Sequence, residues 1–156
     1  MNIRFIGIAA TAALALAYPA ARRNSVAGQT PAGPTVTVYK SPTCGCCTKW
    51  MEHLERAGFT VVGHDVNDLA AIKRQHRVPR SLESCHTAIV DAYVVEGHVP
   101  ADVIQRLLRE RPKVAGIAVA GMPAGSPGME FPNAQKQPYD VMAFRTEGGW
   151  SVYERR

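Results

Sequence analysis

The apolar positions switch between two periods along the chain. Thr35-Val36-Thr37-Val38-Tyr39 alternates with period two and is β-branched, which predicts a strand that Ser41-Pro42-Thr43 then breaks. Cys47, Trp50, Met51 and Leu54 recur at helical spacing, which predicts a helix from about Cys46 to Ala57, closed by Gly58. On that helix Cys47 faces the core, whereas Cys44 lies before the first turn and is more exposed. Phe59-Thr60-Val61-Val62 reads as a second strand and Asp68 to Gln75 as a short helix. Past a polar turn at Val78-Pro79-Arg80, the strands Thr87 to Val90 and Tyr93 to Val95 flank a tight Asp91-Ala92 connection. Pro100 opens a helix with the stripe Val103, Ile104, Leu107 and Leu108, and Pro112 stops it. The predicted order is β-α-β-α-β-β-α, without an internal repeat.

Past Val114 the pattern changes. Ile117 to Ala120 is a brief apolar run, and Gly121 to Glu130 is a Gly/Pro loop carrying Met122 and Met129. Tyr139 to Arg145 and Gly149 to Glu154 predict a closing hairpin, with a turn signal at Glu147-Gly148-Gly149. Upstream, Arg4 precedes an apolar run of 13 residues, Phe5 to Ala17, and two cleavage triplets, Ala15-Leu16-Ala17 and Ser25-Val26-Ala27. That is the pattern of a secretory signal, too short to span a membrane comfortably. The expected division is a signal peptide over 1–27, a disordered leader over 28–34, a core domain over 35–113 and an extension over 114–156.

Composition narrows the classes of function. At 46% hydrophobic and 20% charged, the chain can bury one core. The net charge of +5 is scattered, with no basic helix face or aromatic ladder, so nucleic acid is not an expected partner. Neither is stable membrane insertion once the signal is cleaved, and nothing suggests more than a monomer. Export implies an oxidising compartment, where thiols become disulfides unless a metal or a reaction claims them.

Four cysteines therefore stand out. Cys44-Gly45-Cys46-Cys47 packs three into the start of the first predicted helix, and Cys85 sits beside His86. Cys44 and Cys47 form a C-x-x-C where the helix N-terminus favours a thiolate, so they are the candidate redox pair. The element order and this C-x-x-C resemble the thioredoxin fold over Thr35 to Glu110. Under that resemblance, Ser84-Cys85-His86-Thr87 lies against the C-x-x-C, with His86 where a proline is usual and Cys85 facing Cys44 and Cys47. Four converging thiolates suit zinc, an iron–sulfur cluster or Cu(I). The adjacent Cys46-Cys47 pair crowds a zinc tetrahedron, whereas Cu(I) accepts few ligands and bridging sulfurs, so a polynuclear copper–thiolate site held by Cys44, Cys46, Cys47 and Cys85 is expected. A metal-free Cys44–Cys47 or Cys46–Cys85 disulfide is the open alternative.

Lys40-Ser41-Pro42-Thr43-Cys44-Gly45-Cys46-Cys47, Trp50, Ser84-Cys85-His86-Thr87-Ala88, Glu96-Gly97-His98-Val99-Pro100, Gly121-Met122-Pro123 and Gly125-Ser126-Pro127-Gly128-Met129-Glu130 resemble the CopG-like copper-resistance proteins of Gram-negative bacteria. The resemblance implies a periplasmic setting, a thioredoxin-like domain, an extension that helps hold metal, and interconversion of Cu(I) and Cu(II). The partner it implies is a periplasmic copper efflux or delivery protein. A passive copper sponge and a metal-free thiol–disulfide oxidoreductase remain open. Among the remaining candidates, His86 is a ligand or proton partner, Met122 and Met129 are thioether ligands, and His53 flanks the cluster from the solvent side. His98, just before Pro100, is expected to make a turn or cap contact. His64 and His76 are expected at the surface.

Overall fold

A computed structural model describes residues 33–156, so the expected signal peptide and most of the expected leader lie outside the described residues. Among these, the elements run β1 (Thr35–Lys40), α1 (Gly45–Arg56), β2 (Thr60–Asp65), α2 (Leu69–Gln75), a 3₁₀ turn (Arg80–Leu82), β3 (His86–Val90), β4 (Tyr93–Glu96), α3 (Ala101–Glu110), β5 (Gly116–Ala118), β6 (Asp140–Phe144) and β7 (Trp150–Arg155). They form one seven-stranded sheet in the order β2-β1-β3-β4-β5-β6-β7. β1 pairs parallel with β2 and antiparallel with β3, and β3 pairs antiparallel with β4. This is the thioredoxin-like α/β arrangement, with the C-terminal strands continuing the same sheet.

The local chemistry explains the element ends. Gly58 has φ +93°; its N–H donates to Glu55 O, and Phe59 N–H donates to Leu54 O. That pair of bonds closes α1 by a Schellman motif at the glycine. Asp68 caps α2 by accepting from Ala71 N–H at 2.9 Å. The core gathers Val36, Val38, Leu54, Val90, Val95, Ile104, Leu107 and Ile117, all fully buried. Trp50 is also fully buried and donates its indole N–H to Val99 O at 2.8 Å. The apolar run at Ile117 is strand β5, paired parallel with β4. Three residues of strand are too few for periodicity to reveal.

Register decides where the loops emerge. Lys40, the last residue of β1, faces His86, the first of β3. The loop leaving β1 and the loop entering β3 therefore meet at one end of the sheet. β4 returns antiparallel to that end, with Glu96 opposite Thr87, and β5 runs parallel to β4 toward it, with Ala118 opposite Glu96. Four chain segments thus converge: the cysteine triplet, Ser84-Cys85, Gly97-His98 and the loop after β5.

Candidate metal centre

The cysteine triplet sits where α1 begins. Cys44 occupies the N-cap position, and its N–H donates to Ser41 O at 3.1 Å. Cys47 is fully buried, whereas Cys44 and Cys46 are half-buried, as the helical stripe predicts. Cys44 and Cys47 are joined by a disulfide. Cys46 and Cys85 are free thiols. Of the two pairings left open by sequence, the Cys44–Cys47 bond is the one that forms. Cys46 Sγ lies 3.4 Å from Cys44 Sγ. Cys85 does fold back to the triplet: the four sulfurs all lie within 4.8 Å of one another. Burial, reinforced by the neighbouring Cys46, pushes the Cys85 thiol up to about 12, so in the absence of a cation it keeps its proton.

Two imidazoles complete a second group around Cys85. His98 Nε2 is 2.9 Å from Cys85 Sγ, and His98 Nδ1 is 2.7 Å from Pro127 O. A carbonyl only accepts, so Nδ1 carries the hydrogen and the neutral ring turns the Nε2 lone pair toward Cys85. Burial lowers the His98 pKa and, with His98 and Lys73 nearby, drives that of His86 well below the ordinary range. Both rings are thus held in the form that binds metal. His86 Nδ1 is 3.4 Å from Cys85 Sγ, and its ring packs 4.2 Å from that of Trp50. His86 Nε2 is buried with no hydrogen-bond partner among the described residues. Cys85, His86 and His98 present ligand atoms within 4.8 Å of one another, so Cys85 belongs to both groups.

A buried ion pair fixes the Cys85 segment. Glu96 Oε1 accepts from Ser84 N–H at 2.6 Å, and Oε2 accepts from the Thr87 hydroxyl at 2.6 Å. The carboxylate therefore brackets Cys85-His86 on both sides. Lys73, from α2, pairs with Glu96 and donates to the Thr87 hydroxyl at 3.2 Å. Burial pushes the Glu96 carboxyl above its ordinary range against the pull of Lys73. A charge pair this dry is costly unless fully bonded, and here both carboxylate oxygens are engaged.

The loop after β5 closes over the centre. Gly128 has φ +85°, and a Cβ there would meet Cys46 O at 2.7 Å and Trp50 N at 2.9 Å, so only glycine fits. The same loop supplies Pro127 O to His98. Met129 is half-buried in this loop, and Met122 is 54% exposed. His53 is not gathered into either group of ligand atoms. Its Nε2 accepts from Ala101 N–H at 3.1 Å, and burial lowers its pKa, which suits that acceptor role at the start of α3.

His98 is the site residue that sequence reasoning placed elsewhere. The signal was present in the hairpin. Thr87 faces Glu96, Gly97 N–H donates to His86 O at 3.0 Å, and one step further Cys85 faces His98. A two-residue connection at Asp91-Ala92 sets that symmetry.

The donor set is four sulfurs and two neutral imidazoles. Thiolates favour Cu(I), and imidazoles also accept Cu(II), so the residues fit copper chemistry. The family described as "Protein of unknown function, DUF411" matches residues 82–129. No curated protein matches the chain. Two solved structures, "Copper resistance protein copG- Form 2" and "Copper resistance protein copG- Form 1", are each 43% identical to it, cover 80% of this chain and 98% of their own, and superpose with a TM-score of 0.75.

Proposed function

The chain belongs to the CopG family of copper-resistance proteins, and from that premise we propose that it binds copper in the periplasm and moves it between Cu(I) and Cu(II). Cys44, Cys46, Cys47 and Cys85 hold more than one copper ion through bridging thiolates, and His86 and His98 bind from the other side. The loop from Gly121 to Glu130 covers the ions, with Met129 and Met122 as additional thioether donors. The soft sulfurs stabilise Cu(I), and the imidazoles keep Cu(II) bound, so one centre tolerates both states. The exported, monomeric protein passes its copper to an efflux or delivery protein. Among the described residues, no helix is long and apolar enough to cross a membrane.

The observation that carries this reading is the convergence of Cys85, 38 residues beyond Cys47, on the triplet. Metal analysis of the reduced protein tests it. Cys46→Ser and Cys85→Ser should each lower the copper bound per chain, and equal copper in both variants and the parent would overturn the reading.

The Cys44–Cys47 disulfide favours a second reading, a metal-free thiol–disulfide oxidoreductase. That reading predicts that Cys44→Ser abolishes activity, whereas Cys46→Ser and Cys85→Ser barely change it.

A further inference from the structure

The four sulfurs are not equivalent. Cys44 and Cys47 are bonded to each other, whereas Cys46 and Cys85 stay free although all four sulfurs lie within 4.8 Å. One member of the free pair, Cys85, adjoins the imidazoles, through the 2.9 Å approach of His98 Nε2 to Cys85 Sγ, and the other, Cys46, lies within 4.8 Å of it. We infer that the centre divides its work: Cys44 and Cys47 are a two-electron store that reduces two Cu(II) ions per cycle, and Cys46, Cys85 and His98 retain the Cu(I) formed. This inference rests on the copper reading above and names the electron source that it leaves open.

The chemistry balances within the site. One S–S bond forms between Cys44 and Cys47, and each sulfur gives up one electron. Each of two Cu(II) ions takes one electron and becomes Cu(I), and the two thiol protons leave to solvent. A disulfide is a two-electron couple and copper a one-electron couple, so a centre holding at least two ions matches the store. Imidazoles suit the incoming Cu(II), and the free thiol of Cys85 beside them, with Cys46 next to it, suits the product, so reduction moves copper toward sulfur without leaving the pocket.

The store must be refilled, and the geometry says from which side. Cys47 is fully buried, so an external thiolate cannot reach it. Cys44 is half-buried next to Gly45, where an added Cβ would meet nothing within 4 Å. Gly45 needs no unusual backbone angle, so an open approach to Cys44 is what its missing side chain provides. The refilling partner is a dithiol reductant. Its thiolate attacks Cys44 Sγ and the S–S bond breaks, so Cys47 leaves as the thiolate. The second thiol of the reductant then displaces Cys44 and carries away the disulfide, and the two protons return to Cys44 and Cys47.

The experiment uses the full chain, reduced with tris(2-carboxyethyl)phosphine and desalted without oxygen. Cu(I) binding is measured first, by competition with bathocuproine disulfonate. Excess Cu(II) sulfate is then added, the Cu(I) formed is counted with the same chelator, and remaining thiols are alkylated and mapped by peptide mass. The expected result is two Cu(I) per chain, with loss of label from Cys44 and Cys47 and retention at Cys46 and Cys85. Cys44→Ser should bring the Cu(I) yield to background. Cu(I) binding without Cu(I) formation, or oxidation of Cys46 and Cys85 in place of the other pair, overturns the inference and leaves the copper reading standing. Failure to bind Cu(I) in the first step overturns both.

Discussion

The two halves of the centre are built differently. The α1 half is local: Cys44, Cys46 and Cys47 fall within one helical turn, half of it faces solvent, and two of its sulfurs are bonded together. The β3–β4 half is assembled at a distance: Cys85, His86 and His98 meet because a hairpin brings them together, and both imidazoles are fully buried. A short helical motif gives a disulfide whose outer sulfur, Cys44, is half-buried and whose inner sulfur, Cys47, is fully buried, with the free Cys46 thiol beside it. A buried hairpin end gives neutral imidazoles and a protonated thiol that wait for a cation. Cys85 joins the halves, since it belongs to both groups of ligand atoms.

Removing that joint is the strongest way to break the comparison. Cys85→Ser should cost more copper affinity than the roughly 10–100-fold that losing a supporting partner costs, as read by chelator competition. The Cys44–Cys47 disulfide should still form in the same variant.

Next in size is the bracket that holds only the hairpin half. Glu96→Ala leaves Lys73 charged in a dry site and frees Ser84 N–H and the Thr87 hydroxyl. Breaking one side of such a pair costs about 3–5 kcal/mol, measurable by urea unfolding. Cu(I) affinity should fall as well. Unchanged stability would show that the ion pair does not support the centre.

The loop provides a milder and sharper probe. Gly128→Ala would drive a Cβ against Cys46 O and Trp50 N and pull Pro127 O away from His98. Copper affinity should drop by about 10–100-fold through the freed imidazole. Disulfide formation at Cys44 and Cys47 should persist.

Acidity separates the halves least dramatically. Cys85 retains its proton up to about pH 12 when no cation is bound, so copper must displace that proton. Cu(I) affinity should therefore rise with pH, by up to about tenfold per unit for one proton released. A pH-independent affinity between about pH 6 and 8 would mean that Cys85 does not bind the metal.

The same contrast explains what the sequence made legible. The C-x-C-C motif announces the α1 half because its residues are neighbours in the chain. The thioredoxin-like order and the closing hairpin are also legible, since β1, α1, β6 and β7 carry clear periodicity or turn signals. His98 is hidden, because its place depends on the β3–β4 register and its tautomer on a carbonyl 29 residues away. The Lys73–Glu96 pair is hidden for the same reason, joining α2 to β4 through a contact that no local pattern encodes. Strand β5 is too short for a periodic signal, yet it carries the covering loop to the centre.

The claim at the centre of this account is that both halves bind one body of copper. X-ray absorption at the copper edge on the reduced, Cu(I)-loaded protein measures the ligand atoms directly. The account predicts sulfur and imidazole nitrogen around copper in the parent, with the nitrogen signal falling in His98→Ala. A sulfur-free, nitrogen- and oxygen-only environment, unchanged in Cys85→Ser, would contradict it.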